Sequence, residues 1–321
     1  MKILLTTVTA MFLWGCMSCS DGKDDPIPVP MEVHLEGAIG SATRTVINSG
    51  YEKDLDVCFA RQDETSKGAA VYGSWNICLA KRTNGNGRRP IVFAESQLYP
   101  IQGENTRLHG YYPADNGKAT LVNGGVQFSV DGTTDIMATG LLTGSMDAPV
   151  TLCTFRHLLT QLQFVCYSSH PDKWGSIKNI EIVGVHTKQE LDLVLVFPSL
   201  SNVSSNGDVR DLTVQDIRDL PIPEVTDPGN ALPDAQGYVL LPVQPVDGTK
   251  EHPLYVRITT TKDGRGNEVL TTSDVCLSVE GGFQTGKRHL ITLSFTDGNS
   301  IDAVSVGVEP WTDMDQEEIP V

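Results

Sequence analysis

The side chains best placed for covalent chemistry lie near the N-terminus, where Cys16 follows Gly15 and Cys19 follows Ser18. A thiol behind a small residue can be acylated once a peptidase has cut before it, and the preceding residues suit such a cut. Lys2 gives a positive start, and residues 3–14 form an apolar run of signal-peptide length, too short to cross a bilayer. Leu13-Trp14-Gly15-Cys16 has the better aliphatic residue but sets bulky Trp14 close to the cut, so Cys19 is the favoured acylation site and Cys16 the alternative. A second reactive bond follows Arg44. Gly37, Gly40, Ser41 and Ala42 precede it, and loops of small residues are where a trypsin-like protease enters.

Other patterns imitate catalytic motifs without completing them. Gly281-Gly282-Phe283-Gln284-Thr285-Gly286-Lys287 meets the opening of a phosphate-binding loop, but Arg288 stands where a hydroxyl should hold magnesium. The residues that follow, 289–295, alternate as a strand, whereas phosphate binding needs a helix N-terminus there. The histidines, His34, His109, His157, His170, His186, His252 and His289, lack the spacing that sets two ligands on one helical face. His157 is read as a packing or hydrogen-bonding residue. Asp263-Gly264-Arg265-Gly266-Asn267-Glu268 places a cation among its would-be calcium ligands and reads as a hairpin turn. Neither catalytic residues nor a cofactor or metal is expected, and the chain is not read as an enzyme. Cys58, Cys78, Cys153, Cys166 and Cys276 lie far apart, mostly in apolar strand patterns, and read as buried free thiols with room for one disulfide.

The elements that carry these residues are strands. Leu55, Val57 and Phe59 face one way while Asp54 and Asp56 face the other, the mark of a half-buried strand. The same period recurs in Val126, Phe128 and Val130, in Leu162, Phe164 and Cys166, and in Leu191, Leu193, Leu195 and Phe197. It recurs again in Leu254, Val256 and Ile258 and in Ile291, Leu293 and Phe295. Asn84-Gly85-Asn86-Gly87, Asn123-Gly124-Gly125 and the 263–267 segment supply turn residues between them. Short helices are expected only at 156–160 and 214–220. The fold class is therefore all-β, with two antiparallel β-sandwich domains, 31–148 and 149–321, behind a signal peptide (1–18) and an acidic, Pro-containing linker (19–30). With 40 acidic against 24 basic residues the net charge is -16, which disfavours nucleic acid.

Several local patterns resemble a family. Tyr111-Tyr112-Pro113, Asp135-Ile136-Met137-Ala138-Thr139, the run from Phe155-Arg156-His157 to Gln163-Phe164, and Val308-Glu309-Pro310-Trp311 resemble, in this order, the fimbrillin-like proteins (type V pilins) of Bacteroidetes. Ser20-Asp21-Gly22-Lys23-Asp24-Asp25 likewise resembles the acidic signal that sends Bacteroidetes lipoproteins to the cell surface. The resemblance implies two transthyretin-like (Ig-like) sandwiches, lipoprotein export to the outer membrane, cleavage after an arginine and polymerisation by donor-strand exchange. Its partners would be other fimbrial subunits, the membrane through the lipid, and a host-surface ligand.

The residues permit that mechanism. Met31, Val33 and Leu35 alternate with polar neighbours, so 31–36 reads as a removable strand ahead of Arg44. Val304, Val306 and Val308 alternate the same way and would make 303–311 the donor. The alternatives are a non-polymerising anchor or tip subunit, or a surface lipoprotein that stacks glycan on Trp75, Trp174 or Trp311.

Overall fold

Alternating apolar residues become strands where a neighbouring strand can take up their main-chain groups, and nearly every such stretch in this chain has one. The computed structural model describes residues 29–40, 47, 51–114, 117–203, 208–229, 231–297 and 300–310; Cys16, Cys19, Arg44 and Trp311 lie outside them. In chain order the first strands are β1 Leu35–Ile39, β2 Leu55–Asp63, β3 Asn76–Arg82, β4 Arg89–Phe93, β5 Thr106–Tyr112, β6 Ala119–Val122 and β7 Gly125–Ser129. Next come β8 Met137–Ala138, β9 Leu142–Gly144, β10 Leu152–His157, β11 Thr160–Ser168, helix α1 Pro171–Trp174, β12 Ser176–His186, β13 Lys188–Asp192 and β14 Leu200–Asn202. The chain continues with β15 Val209–Thr213, β16 Leu220–Pro221, β17 Gly237–Leu241, β18 Leu254–Thr260, β19 Thr271–Leu277, β20 Lys287–Phe295 and β21 Ile301–Pro310.

The chain is all-β, but the two halves differ. In the first, strands follow the order β2-β3-β4-β1-β10-β8-β5, and β5 also pairs with β2, so the sheet closes into a seven-stranded barrel-like ring with β9 beside β5. Closure removes the free edges that an open sandwich sheet would expose. The ring's interior holds Val33, Leu35, Ile39, Val57, Phe59, Ile91, Leu108, Met137 and Phe155. Phe59 meets Phe155 edge-on at 6.0 Å between ring centroids. In the second half, a sheet in the order β17-β11-β20-β21 shares a core with one in the order β15-β12-β18-β19, where β16 flanks β12. Phe164, Ile291 and Phe295 from the first sheet and Ile180, Ile182 and Ile258 from the second belong to that core. A third sheet, β14-β13-β7-β6, belongs to neither half by sequence.

Main-chain pairing crosses the boundary expected at 148/149. β10 lies beyond it yet pairs with β1 and β8 in the ring, and β13 pairs with β7. The chain leaves the ring at Leu158-Leu159, between β10 and β11.

The helix expectations are corrected. Residues 156–160 end β10 and begin β11, because Arg156 and His157 pair with Ala138 and Met137. Residues 214–219 are irregular, with Asp216 and Asp219 at positive φ, and Leu220 begins β16. The one helix among the described residues, α1, has Pro171 in its first turn and ends at Gly175 (φ 72). The alternation through Leu195 and Phe197 is not a strand either. β13 stops at Asp192, where its partner β7 begins at Gly125, and Phe197 is 72% exposed.

Candidate functional site

β1 is an internal strand supplied from near the start of the chain. It runs antiparallel to β4, with Leu35 opposite Ile91 and Gly37 opposite Arg89, and parallel to β10, with Glu36 opposite Leu152 and Ile39 opposite Phe155. Its main chain is tied on both sides. Glu36 N–H donates to Thr151 O at 2.8 Å, Gly40 N–H to Phe155 O at 2.7 Å, and Val33 N–H to Gln97 O at 2.7 Å.

The strand expected at 31–36 is displaced to Leu35–Ile39. Ahead of it, Glu32 forms an isolated bridge with Leu98, and Tyr99 N–H donates to Met31 O at 2.9 Å. Val33 and Leu35 are buried as expected of inward positions, but Met31 is 40% exposed, because the ring core ends before it. Its place in the inward series is taken at the other end by Gly37 and Ile39.

Two buried polar side chains hold β1 and neither was singled out for that role by spacing alone. Arg82 is fully buried; its Nε donates to Gly37 O at 3.0 Å, Nη1 to Thr83 O at 3.2 Å, and Nη2 to Gly85 O at 2.9 Å and Gly87 O at 2.7 Å. All these acceptors are main-chain carbonyls. Burial, and then the neighbouring charge of Arg89, pushes the Arg82 guanidinium below its ordinary value. Arg82 could have been found from the inward phase of β3, Cys78-x-Ala80-x-Arg82, which puts a cation where an apolar residue belongs.

His157, at the end of β10, donates from Nε2 to Gly40 O at 3.1 Å, and its Nδ1 stands 2.5 Å from Asp135 Oδ2. Both side chains are buried. Nε2 faces a carbonyl oxygen and so donates to it, which leaves Nδ1 directed at the Asp135 carboxylate. The expected hydrogen-bonding role thus falls at the last described residue before the segment that contains Arg44.

The candidate donor residues lie elsewhere. β21 is the edge of its own sheet and pairs antiparallel with β20, with Val306 opposite Ile291 and Val308 opposite His289. Val304 is 57% exposed. β1 and β21 thus belong to different sheets, and the structure does not bring Val304, Val306 and Val308 together with Val33 and Leu35.

The motif imitations resolve as turns. Gly281, Gly282 and Gly286 all have positive φ and lead straight into β20. Asp263 Oδ1 accepts from Arg265 N–H and Asn267 N–H, and Oδ2 from the Asn267 amide, so its carboxylate is occupied by its own hairpin. Among the described residues no three metal-ligating side chains converge. Cys58, Cys78, Cys153 and Cys166 are buried free thiols, with Cys153 and Cys166 pushed up to about 12 by burial, whereas Cys276 is exposed. Trp174 is buried against Phe295 and Trp75 is half-buried on the core, so these two do not form an exposed stacking face. Among the described residues no helix is long and apolar enough to cross a membrane.

Solved structures of similar fold include two cell adhesion proteins. A proposed cell adhesion protein of Bacteroides uniformis matches with a TM-score of 0.58 at 15% identity, over 88% of this chain and 98% of its own. One of Bacteroides ovatus matches with a TM-score of 0.53 at 14% identity, over 89% of this chain and 100% of its own. No curated protein matches the chain. At these identities the likeness shows the fold alone, and membership rests on the family model described as fimbrillin-like, which spans residues 43–311 and so takes in both halves; the chain belongs to the fimbrillin-like family.

Proposed function

We propose that this chain is a structural subunit of a surface fimbria that supports adhesion. It would be exported as a lipoprotein acylated on Cys19, with Cys16 the alternative, cut after Arg44, and joined to other subunits by exchange of β1 for a strand of the next subunit. The observation that carries the reading is the position of β1. It is an internal strand whose inward residues Val33, Leu35 and Ile39 are buried, yet only the segment through residue 44 need be cut to free it from the rest of the chain. Such a strand leaves a slot flanked by β4 and β10 that another extended segment can fill. The family assignment and the adhesion proteins of like fold support the same reading.

Magnitudes favour a slow exchange. Each buried Val- to Ile-sized side chain is worth about 1.5–3 kcal/mol, and each ladder hydrogen bond about 1 kcal/mol. Ordering a free tail costs roughly 1–2 kcal/mol per residue, so the two strands compete at similar net free energy and departure of β1 limits the rate. Val304, Val306 and Val308 are the candidate donor residues, which requires β21 to leave the edge of its own sheet.

Limited trypsin treatment of the native lipidated chain tests this. Cutting at Arg44 should produce ladders on denaturing gels run without boiling, and removal of residues 303–321 should abolish them. A chain that is cut and stays monomeric at high concentration is an anchor or tip subunit at most. Ladders that persist without 303–321 exclude that donor.

A further inference from the structure

Four apolar residues in a row, Val194-Leu195-Val196-Phe197, stand in the loop after β13, and Phe197 is 72% exposed. Such a run is unfavourable on a solvated surface unless something covers it. The loop is not loose. Val194 N–H donates to Asp192 Oδ1 at 2.9 Å, Leu141 N–H to Leu195 O at 3.0 Å, and His109 Nδ1 to Leu193 O at 3.0 Å. Val196 O also presses on Gly140, where a Cβ would come within 1.9 Å of it. The main chain is thus clamped to the ring while the side chains project. Arg156, on the outward phase of β10, sets its guanidinium 5.6 Å from the centroid of the Phe197 ring.

The opposite wall of the ring is hollow. Leu79 of β3 and Val92 of β4 are each 55% exposed, while Cys78, Ala80 and Ile91 take the inward phase. With Phe93 and Ala114 they line a depression of about 400 Å³, beside which Asp56 pairs with Lys81 at 3.3 Å. That is room for an aromatic side chain, since pockets of about 300–1,000 Å³ take whole small molecules. In the ring order β2-β3-β4-β1-β10-β8-β5, β3 lies across from β10 and β8, so the projection and the hollow face away from each other. One copy cannot fill its hollow with its own projection.

We propose that Val196 and Phe197 seat in the Leu79–Val92 hollow of a second copy of the chain. Both surfaces are apolar and one is convex where the other is concave. Two projections meeting about a two-fold axis would set Arg156 against Arg156, whereas the hollow offers it Asp56. Because each copy presents both surfaces, the contact is head-to-tail and extends from copy to copy instead of closing as a dimer. A contact this small falls short of the roughly 1,200–2,000 Å² that a stable interface buries, so it is weak between free chains and adds up where subunits already stand in a row.

This contact lies outside the strand-exchange reading, for it uses neither β1 nor β21 and needs no cut. The uncut full-length chain tests it, with Cys16→Ser, Cys19→Ser and Cys276→Ser so that only added thiols react; Cys58, Cys78, Cys153 and Cys166 are buried. Under mild oxidation, Phe197→Cys mixed with Leu79→Cys should form the mixed dimer at least tenfold faster than Phe197→Cys mixed with Val269→Cys, a site that is likewise 55% exposed. Both thiols in one chain should give a ladder. Equal rates for the two mixtures overturn the inference. So does faster pairing of Phe197→Cys with itself, which means a two-fold contact. A Leu79→Cys thiol that maleimide cannot reach in dilute solution overturns it as well, since the hollow is then covered within one copy. Without added thiols, the sedimentation mass of the uncut chain should rise with concentration, and Phe197→Ser should shift that rise at least tenfold upward. An unshifted rise, or none in the parent chain, again overturns the inference and leaves strand exchange after cutting untouched.

Discussion

Arg82 reaches beneath β1 and donates from Nε to the carbonyl of Gly37 at 3.0 Å. A fully buried guanidinium without a carboxylate is costly to hold, and here four carbonyls share the task, three from its own hairpin and one from the strand beside it. The residue therefore couples the stability of the β3–β4 turn to the presence of β1.

Replacing Arg82 by Met should remove all these donors and leave Gly37 O, Thr83 O, Gly85 O and Gly87 O without them. A loss of about 2–4 kcal/mol in urea unfolding is expected, with Arg82→Lys recovering part of it. A loss below about 0.5 kcal/mol for Met would mean that the carbonyls find water, and that Arg82 does not hold the strand.

Gly37 is glycine for want of space, not for an unusual backbone angle. A Cβ there would lie 2.7 Å from Ile91 Cδ1 and 3.4 Å from Cys153 Sγ. Gly37→Ala should cost about 1–3 kcal/mol by overpacking, and Ile91→Val, which deletes the offending methyl, should recover part of it. Strictly additive costs in the double-mutant cycle would show that the two groups do not compete for one space.

His157 and Asp135 hold the carbonyl of Gly40 at the threshold of the segment that contains Arg44. Asp135→Ala should orient the ring less well and cost about 1–3 kcal/mol, since it leaves a buried polar partner unmatched. Cutting after Arg44 by dilute trypsin should also quicken, as the end of β1 frays. Unchanged cutting in a clearly destabilised variant would separate the clasp from protease access.

His109 and His289 make stability depend on pH below neutrality. Burial pushes each imidazole down to about 4, although His109 donates from Nδ1 to Leu193 O and Gln284 N–H donates to His289. The unfolded chain, with ordinary histidines near 6.5, binds more protons than the folded one between these values. Stability is thus fully present above about 6.5 and falls as pH drops toward 4, by at most about 3 kcal/mol per histidine. Urea midpoints at pH 7.5 and 4.5 should show the fall, and His109→Gln with His289→Gln should flatten it. A wild-type midpoint that does not move would mean that these rings take protons without unfolding.

Much of the fold was legible because half-buried strands write their two faces into alternate residues. Leu55-Val57-Phe59, Leu162-Phe164-Cys166 and Ile291-Leu293-Phe295 all became strands with those residues inside. Alternation failed at Leu195 and Phe197 because a strand also needs a neighbour, and β7 ends before them. The ring closure between β2 and β5, and the return of β10 to pair with β1, join residues far apart in sequence and leave no local mark.

The candidate site divides along the same line. Residue types and spacing alone determined that the chain is all-β, that it is acidic, that its catalytic-looking motifs are incomplete, and that apolar alternation stands ahead of Arg44. Tertiary structure decided that the strand begins at Leu35 instead of Met31, that it sits inside a ring between β4 and β10, and that Arg82 and His157 grip its carbonyls. The physical reason is that alternation records only which side of a strand is dry. Which strand lies alongside, and which buried donor meets which carbonyl, depends on contacts that exist only after the chain has closed.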